Sequence, residues 1–322
     1  GERYDGRHRL LLPGFYNVHS HAPMTLLRGY AENLPLQRWL NEKVFPFEDK
    51  LDDEAAYHGT QLAIAEMLAC GTVSFTDMYF FLDRMTRAIL ESGIKCNLSR
   101  GLTVFDDSSY EALPAYQDNL RLLGEWNGAN QGRLRGDLCI HGEYTSTPKV
   151  VEAVAAQAGA CGARMHIHLS ETQEEHEACK QRHGMTPAAY MQAHGIFDVP
   201  TTAAHCVWLE GEDFDILKKH GVTVACCPAS NLKLASGYAN VPRMRCDVNY
   251  SRAGAVCGDT RRRFVTGTDG QRPSQSWLQG RPVRHQYGYA AVHTHDGCGL
   301  QRGICGAGGG YPADDGGWRG II

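Results

Sequence analysis

The chain has 322 residues, 43% of them hydrophobic and 21% charged, with a formal net charge of −4. That is enough for one large core or two modest ones, and it excludes a small disulfide-stapled scaffold. The near-neutral balance excludes a surface built to neutralise phosphates, so no nucleic-acid partner is expected. No apolar run reaches the roughly 18 residues of a membrane helix, and Gly1 to His8 carry no charged-then-apolar signal pattern, so a cytoplasmic protein with no membrane partner is expected.

Twelve cysteines are scattered without a C-x-x-C pair and read as buried small hydrophobes of a reduced compartment. Composition divides the chain in two. Residues 1–244 hold every lysine and every glutamate, whereas residues 245–322 hold neither but carry 16 of the 36 glycines and 10 arginines. Surfaces ordinarily mix these charges. The expected organisation is therefore a domain over 1–244 and an atypical Gly/Arg-rich segment over 245–322: a low-complexity tail, a divergent module or the product of a reading-frame shift.

Within 1–244 short apolar runs ending in polar residues alternate with helical stretches, the pattern of repeated βα units. The first apolar run covers 10–21, and a helix capped by Asp52 or Asp53 and stopped by Gly71 covers 53–70. Strands are expected over 72–79, 95–102, 134–141, 164–169, 201–207 and 222–227. Helices are expected between them over 82–91, 113–125, 174–193 and 212–220, with one more running from Thr147-Pro148 to Gly162. Seven such units, with room for an eighth, predict an α/β fold closed as a (β/α)8 barrel.

That fold places catalytic groups at the carboxyl ends of its strands, and His19, His21, Asp77, Arg100, His141, His168 and His205 stand at those ends. His19 and His21 are two apart on a strand, so both imidazoles can face the interior and share a cation. His166 and His168 also share a face; His168, nearer the mouth, reads as the ligand and His166 as a satisfied interior histidine one layer down. Neutral imidazole suits zinc, iron or copper rather than magnesium or calcium. Glu171 is placed to shuttle protons between a metal-activated water and a substrate nitrogen.

The runs Leu12-Pro-Gly-Phe-Tyr-Asn-Val-His-Ser-His21, Phe45-Pro-Phe-Glu48, Gly71-Thr-Val-Ser-Phe-Thr-Asp-Met78, Ala204-His-Cys-Val-Trp-Leu209 and Cys227-Pro-Ala-Ser-Asn-Leu-Lys-Leu234 resemble the metal-dependent amidohydrolase superfamily. The likeness covers about 10–244 and is greatest to the branch of S-adenosylhomocysteine/5'-methylthioadenosine deaminases. It implies His19, His21 and His168 as metal ligands, Glu171 as the group that handles the proton on the purine ring nitrogen, and His205 as the group that orients the attacking water. It implies Glu48, Arg100 and His141 as contacts to an adenosine-like small-molecule substrate, and a homo-oligomer. A second arginine of that pattern has no counterpart in 106–118, and Cys226 stands where the family has histidine.

Two-metal relatives bridge their ions with a lysine at the end of strand four. Here that position is Ile140-His141, so one divalent metal is expected, zinc first and ferrous iron as the alternative. A single zinc lowers the pKa of its water towards ~7 and supplies hydroxide. The family's fourth ligand and general base, an aspartate after strand eight, is matched by Asp269 in Gly267-Thr-Asp-Gly270, with Asp259 as the fallback; strand eight is then expected near 264–269. His293-Thr-His295 lacks an apolar strand before it and is not expected to bind metal. The accessory β-sandwich of the family is expected to be largely missing.

The expected reaction is hydrolytic deamination of S-adenosylhomocysteine, 5'-methylthioadenosine or adenosine. The competing readings are another amidohydrolase reaction, such as guanine or cytosine deamination or triazine hydrolysis, and a truncated or frame-shifted product without activity.

Overall fold

The computed structural model describes residues 9–31, 33–252 and 290–294. Ten strands occur among them: β1 (Arg9–Pro13), β2 (Phe15–Ser20), β3 (Thr72–Tyr79), β4 (Lys95–Arg100), β5 (Leu134–Ile140), β6 (Met165–Leu169), β7 (Thr201–His205), β8 (Thr223–Cys226), β9 (Asn249–Arg252) and β10 (Ala290–Thr294). Strands β2 to β9 lie side by side in sequence order, every neighbouring pair parallel. β9 comes back against β2. With a helix between each strand and the next, this is a nearly closed (β/α)8 barrel.

Local chemistry explains most boundaries. The helix Asp53–Ala69 starts where the Asp52 carboxylate accepts the Ala55 N–H at 2.8 Å. The helix Pro148–Cys161 opens on proline and stops at Gly162, whose φ of +63° favours a residue without Cβ.

The expected 174–193 helix is two helices, Gln173–His183 and Pro187–Ala193. Gly184 ends the first in the left-handed region, and the Thr186 hydroxyl caps the second by accepting from Ala189 N. The 113–125 stretch is helical over Pro114–Arg121 and then widens into a π-turn over Leu122–Trp126. The first apolar run is also divided. Pro13 lacks the N–H a central strand must donate, so the chain breaks there into β1, which pairs antiparallel with β10, and β2, which enters the barrel.

The eighth strand of the sheet is β9, earlier than the 264–269 expected; that stretch, Asp259 and Asp269 lie outside the described residues. His293, expected to follow no strand, falls within β10, while His295 lies outside the described residues.

The alternation of each strand sorts core from site. On β6, Met165, Ile167 and Leu169 pack outward into one apolar cluster with Val150, Val151 and Val154 of the Pro148–Cys161 helix. The intervening His166 and His168 therefore point to the barrel axis. A second cluster joins the helices Asp53–Ala69 and Leu82–Ser92 to β3 and β4 through Ile64, Phe75, Met85, Ile89 and Leu98. Among the described residues no helix is long and apolar enough to cross a membrane.

Ile167 is fully buried between sheet and helix. Replacing it by alanine should cost about 2–5 kcal/mol through lost transfer energy and an unfilled cavity. Denaturant midpoints at unchanged m-value would show it; an unchanged midpoint would mean that this layer is not packed as described.

Candidate metal centre and active-site cavity

Four imidazoles converge at the carboxyl ends of the strands. The His19 ring centroid is 4.8 Å from that of His21, 4.9 Å from His168 and 5.3 Å from His205. One nitrogen from each of His19, His168 and His205 lies within 4.8 Å of the others, and His21 Nε2 is 3.3 Å from His168 Nε2.

The opposite nitrogens are committed. His21 Nδ1 donates to Met78 O at 2.6 Å, His168 Nδ1 to His141 O at 2.7 Å and His205 Nδ1 to Asn231 Oδ1 at 2.8 Å. A carbonyl only accepts, so each of these rings carries its proton on Nδ1 and keeps a lone pair on Nε2. Two lone pairs facing each other at 3.3 Å, as on His21 and His168, repel unless a cation lies between them. Burial, followed by repulsion from neighbouring rings, holds His19 and His168 well below the usual histidine range; His21 and His205 fall to about 4, burial being the first cause for both. All four are thus neutral at pH 7, the form that binds metal, and the donor set fits one divalent ion of the zinc class.

The backbone around the cluster is strained. Ser170, His205 and Cys206 have φ of +46°, +71° and +51°, a region that non-glycine residues seldom enter. Neighbouring strand ends lock it: Cys206 N donates to Leu169 O, and Val207 N and Trp208 N donate to Ser170 O, each at 3.0 Å.

Buried carboxylates surround the rings. Glu171 is 4% exposed, 3.5 Å from His205 Nδ1 and within 3.3 Å of the Ser236 hydroxyl, and burial pushes it up to about 7. Glu175 holds the segment carrying Glu171. Its carboxylate accepts Ser170 N at 2.9 Å and Glu171 N at 2.7 Å, while Thr172 Oγ1 accepts Glu175 N at 3.1 Å, a capping box that opens the Gln173–His183 helix. Asp77 Oδ2 accepts from Ser20 Oγ and Ala22 N, both at 2.7 Å, and so fixes the turn that carries His21.

The rings floor a cavity of about 350 Å³ walled by Glu48, Tyr79, Phe80, Tyr144, Trp39, Phe45, Leu40 and Leu234. Tyr79 OH donates to Glu48 Oε1 at 2.6 Å, and burial raises Glu48 to about 7. His141 is on the wall, its Nδ1 3.0 Å from Thr145 Oγ1. Since that hydroxyl donates to Gly142 O, it accepts from Nδ1 and leaves Nε2 towards a ligand. Among the described residues no lysine or arginine lines the cavity.

The structure thus gathers His19, His21, Glu48, His141, His168, Glu171 and His205 around one space. Arg100 lies outside the wall: its Nε donates to Asp118 Oδ2 at 2.9 Å and its guanidinium stacks 5.1 Å over Phe80. His166, expected to be satisfied, is not: Nε2 meets His19 but Nδ1 is buried without a partner. Asn231 and Glu175 were missed as orienting groups, although the Ser-Asn pair after strand seven and the Thr172-x-x-Glu175 string were visible signals. A second set joins the buried His176 to the exposed Glu177 and Glu210, and Lys180 Nζ already sits 2.8 Å from Glu210.

Comparison with known proteins gives this geometry relatives. A 5-methylthioadenosine/S-adenosylhomocysteine deaminase of Moorella thermoacetica is 45% identical over 74% of this chain and 55% of its own length. One of Pelotomaculum thermopropionicum is 41% identical over 84% of this chain and 59% of its own. The chain spans a little over half the length of these relatives. Among solved structures, an adenosine deaminase from Xanthomonas campestris with bound zinc superposes with a TM-score of 0.69 at 30% identity, over 76% of this chain and 56% of that one. The amidohydrolase family model matches residues 10–298, and the chain belongs to that family.

Proposed function

We propose that this chain carries the catalytic barrel of a zinc-dependent deaminase of adenosine-type nucleosides, with S-adenosylhomocysteine, 5'-methylthioadenosine or adenosine as substrate. The observation that supports this most is the position of Glu171, a buried carboxyl raised to about 7, on the wall of an aromatic and apolar cavity beside four neutral imidazoles. The names of the two bacterial relatives point to the same chemistry.

In this reading His19, His21 and His168 hold the ion, and the sequence supplies Asp269 as the fourth donor. When bound, the ion lowers the pKa of water to about 7 and makes a nucleophile available at neutral pH. His205, its Nδ1–H committed to Asn231, offers Nε2 to orient the attacking water. Glu171 in its acid form protonates the purine ring nitrogen beside the amino-bearing carbon, which makes that carbon electrophilic. As the water oxygen bonds to it, one water proton returns to Glu171 and the other departs with the amino group as ammonia. A carboxyl near 7 serves both directions of this transfer.

Glu48, with one oxygen held by Tyr79, accepts hydroxyl protons of the sugar, and His141 Nε2 accepts a further one. Arg100 meets the cavity wall through Phe80, on which it stacks, and through Gly101 O, to which it donates, so its part is to hold that wall.

Glu171→Gln should lower kcat by roughly 10²–10⁴-fold, the contribution of a positioned acid–base group, measured as ammonia release by the zinc-loaded chain. The same variant has a stability signature. Glu171 is raised from 4.5 to about 7 by folding, so the native state binds more protons between those values. Its favourable contribution is complete below pH 4.5 and is lost as pH rises through 7. On metal-free protein the variant should therefore gain stability relative to the wild type between about pH 5 and pH 8. Zinc-bound wild-type protein that deaminates none of the three nucleosides would overturn the proposal.

Glu175→Ala frees the N–H groups of Ser170 and Glu171. It should cost about 1–3 kcal/mol in stability and lower kcat more than it raises KM, because Glu171 loses its fixed position. Equal proportional changes in kcat and 1/KM would argue against a positioning role.

A further inference from the structure

β6 brings two histidines to the barrel axis, and only His168 lines the cavity. His166 lies one layer below with 0% exposure, its ring edge-on to that of His19 with centroids 5.0 Å apart. His166 Nε2 is 2.9 Å from His19 Nδ1, and His166 Nδ1 is buried with no partner.

This contact differs from those at the other three rings. His21 and His168 are oriented by main-chain carbonyls and His205 by a side-chain amide oxygen. Each of those partners accepts and so leaves one tautomer. An imidazole nitrogen either accepts or donates, so the His19–His166 pair has two neutral arrangements. In one, His19 Nδ1–H donates to His166 Nε2, and the His19 Nε2 lone pair joins the cluster. In the other, His166 Nε2–H donates to His19 Nδ1, and a proton on His19 Nε2 points at the other rings and blocks a cation. The orphan at His166 Nδ1 is present in both, as an N–H in the first and a lone pair in the second. A hydrophobic residue at 166 would avoid that orphan, whose desolvation opposes folding.

We infer that His166 is a positioning residue for the metal site: it accepts the His19 Nδ1 proton and thereby sets His19 in the tautomer whose Nε2 binds the ion. The inference rests on His19 being a metal ligand but not on the identity of the substrate or on turnover. The unpaired His166 Nδ1 is the cost of having an imidazole at this position. Binding of a divalent ion at His19 Nε2 selects the first arrangement and excludes the second. The contact thus couples the interior layer to occupancy of the site.

The test uses two replacements in the full chain. His166→Gln places an amide oxygen near the former Nε2, an acceptor that leaves one tautomer, whereas His166→Leu fills the space without an acceptor. Zinc affinity is measured by chelator competition, with thermal unfolding of the metal-free proteins as the control for folding. His166→Leu should weaken zinc binding by roughly 10- to 100-fold, the usual effect of losing an outer partner of a metal-bound histidine. His166→Gln should recover affinity to within a few-fold of the wild type. Nitrogen-15 spectra of the metal-free His166→Gln protein should show His19 protonated on Nδ1. If leucine at 166 leaves zinc affinity unchanged, or if glutamine binds as weakly as leucine while both fold, His166 does not act as the acceptor. If the leucine variant fails to fold, the glutamine variant and its spectrum decide: a His19 proton on Nε2 overturns the inference. A wild-type chain that binds no zinc would overturn the metal-site reading itself, a result distinct from any difference between the variants.

Discussion

The structure depends on burying neutral imidazoles at the end of a parallel barrel and fixing which nitrogen of each carries the proton. Strand alternation sends every second side chain of β2 and β6 to the axis. There His19, His166 and His168 are enclosed by other strands and desolvated. Desolvation removes their charge, and neighbouring rings remove it further. A neutral imidazole still needs a partner for its N–H. Met78 O, His141 O and Asn231 Oδ1 supply this for three rings, and two of those acceptors are backbone carbonyls at the ends of neighbouring strands. The sheet itself orients the site, which ties the chemistry to barrel closure rather than to flexible loops.

Stability and function pull against each other in the same few residues. Asp77, Glu171 and Glu48 are all raised to about 7 by burial, and three non-glycine residues beside the site carry positive φ. None of this favours folding. The apolar clusters outside the sheet offset it: side chains such as Ile167 and Val154 are fully removed from water, each contributing about 1.5–3 kcal/mol. A bound divalent ion adds to that margin through mass action and draws together lone pairs that otherwise repel.

Much of this was legible in the sequence, because two local signals coincide. Strand ends fall where apolar runs meet histidine, and helix limits fall at Asp52, Pro148 and Gly162, where capping and backbone freedom decide. What was missed was non-local or conditional. The break inside 174–193 carried local signals, since Gly184 stops the first helix and Thr186-Pro187 opens the second, but the long helical stretch masked them. Arg100 ends its strand as expected, yet Asp118 captures its guanidinium from 18 positions along the chain, and no spacing rule forecasts that pairing. His166 reads in the sequence as a satisfied interior histidine, because its contact is with His19, 147 positions away.

The charge pattern of the cavity ties these points together. Its described wall holds two carboxyl groups, Glu48 and Glu171, five histidines and no lysine or arginine. With every ring neutral and both carboxyls near 7, the wall alone offers an incoming anion no positive charge. A small aromatic solute with hydroxyl groups suits it better, since Trp39, Phe45 and Phe80 supply apolar faces and Glu48 an acceptor. Among the described wall groups, positive charge would come only from a bound ion. An ion held by those rings would have Glu171 among its neighbours, and its field would favour the ionised carboxylate, opposing the rise that burial causes. Desolvation and such a cation would act on Glu171 in opposite directions at the same place.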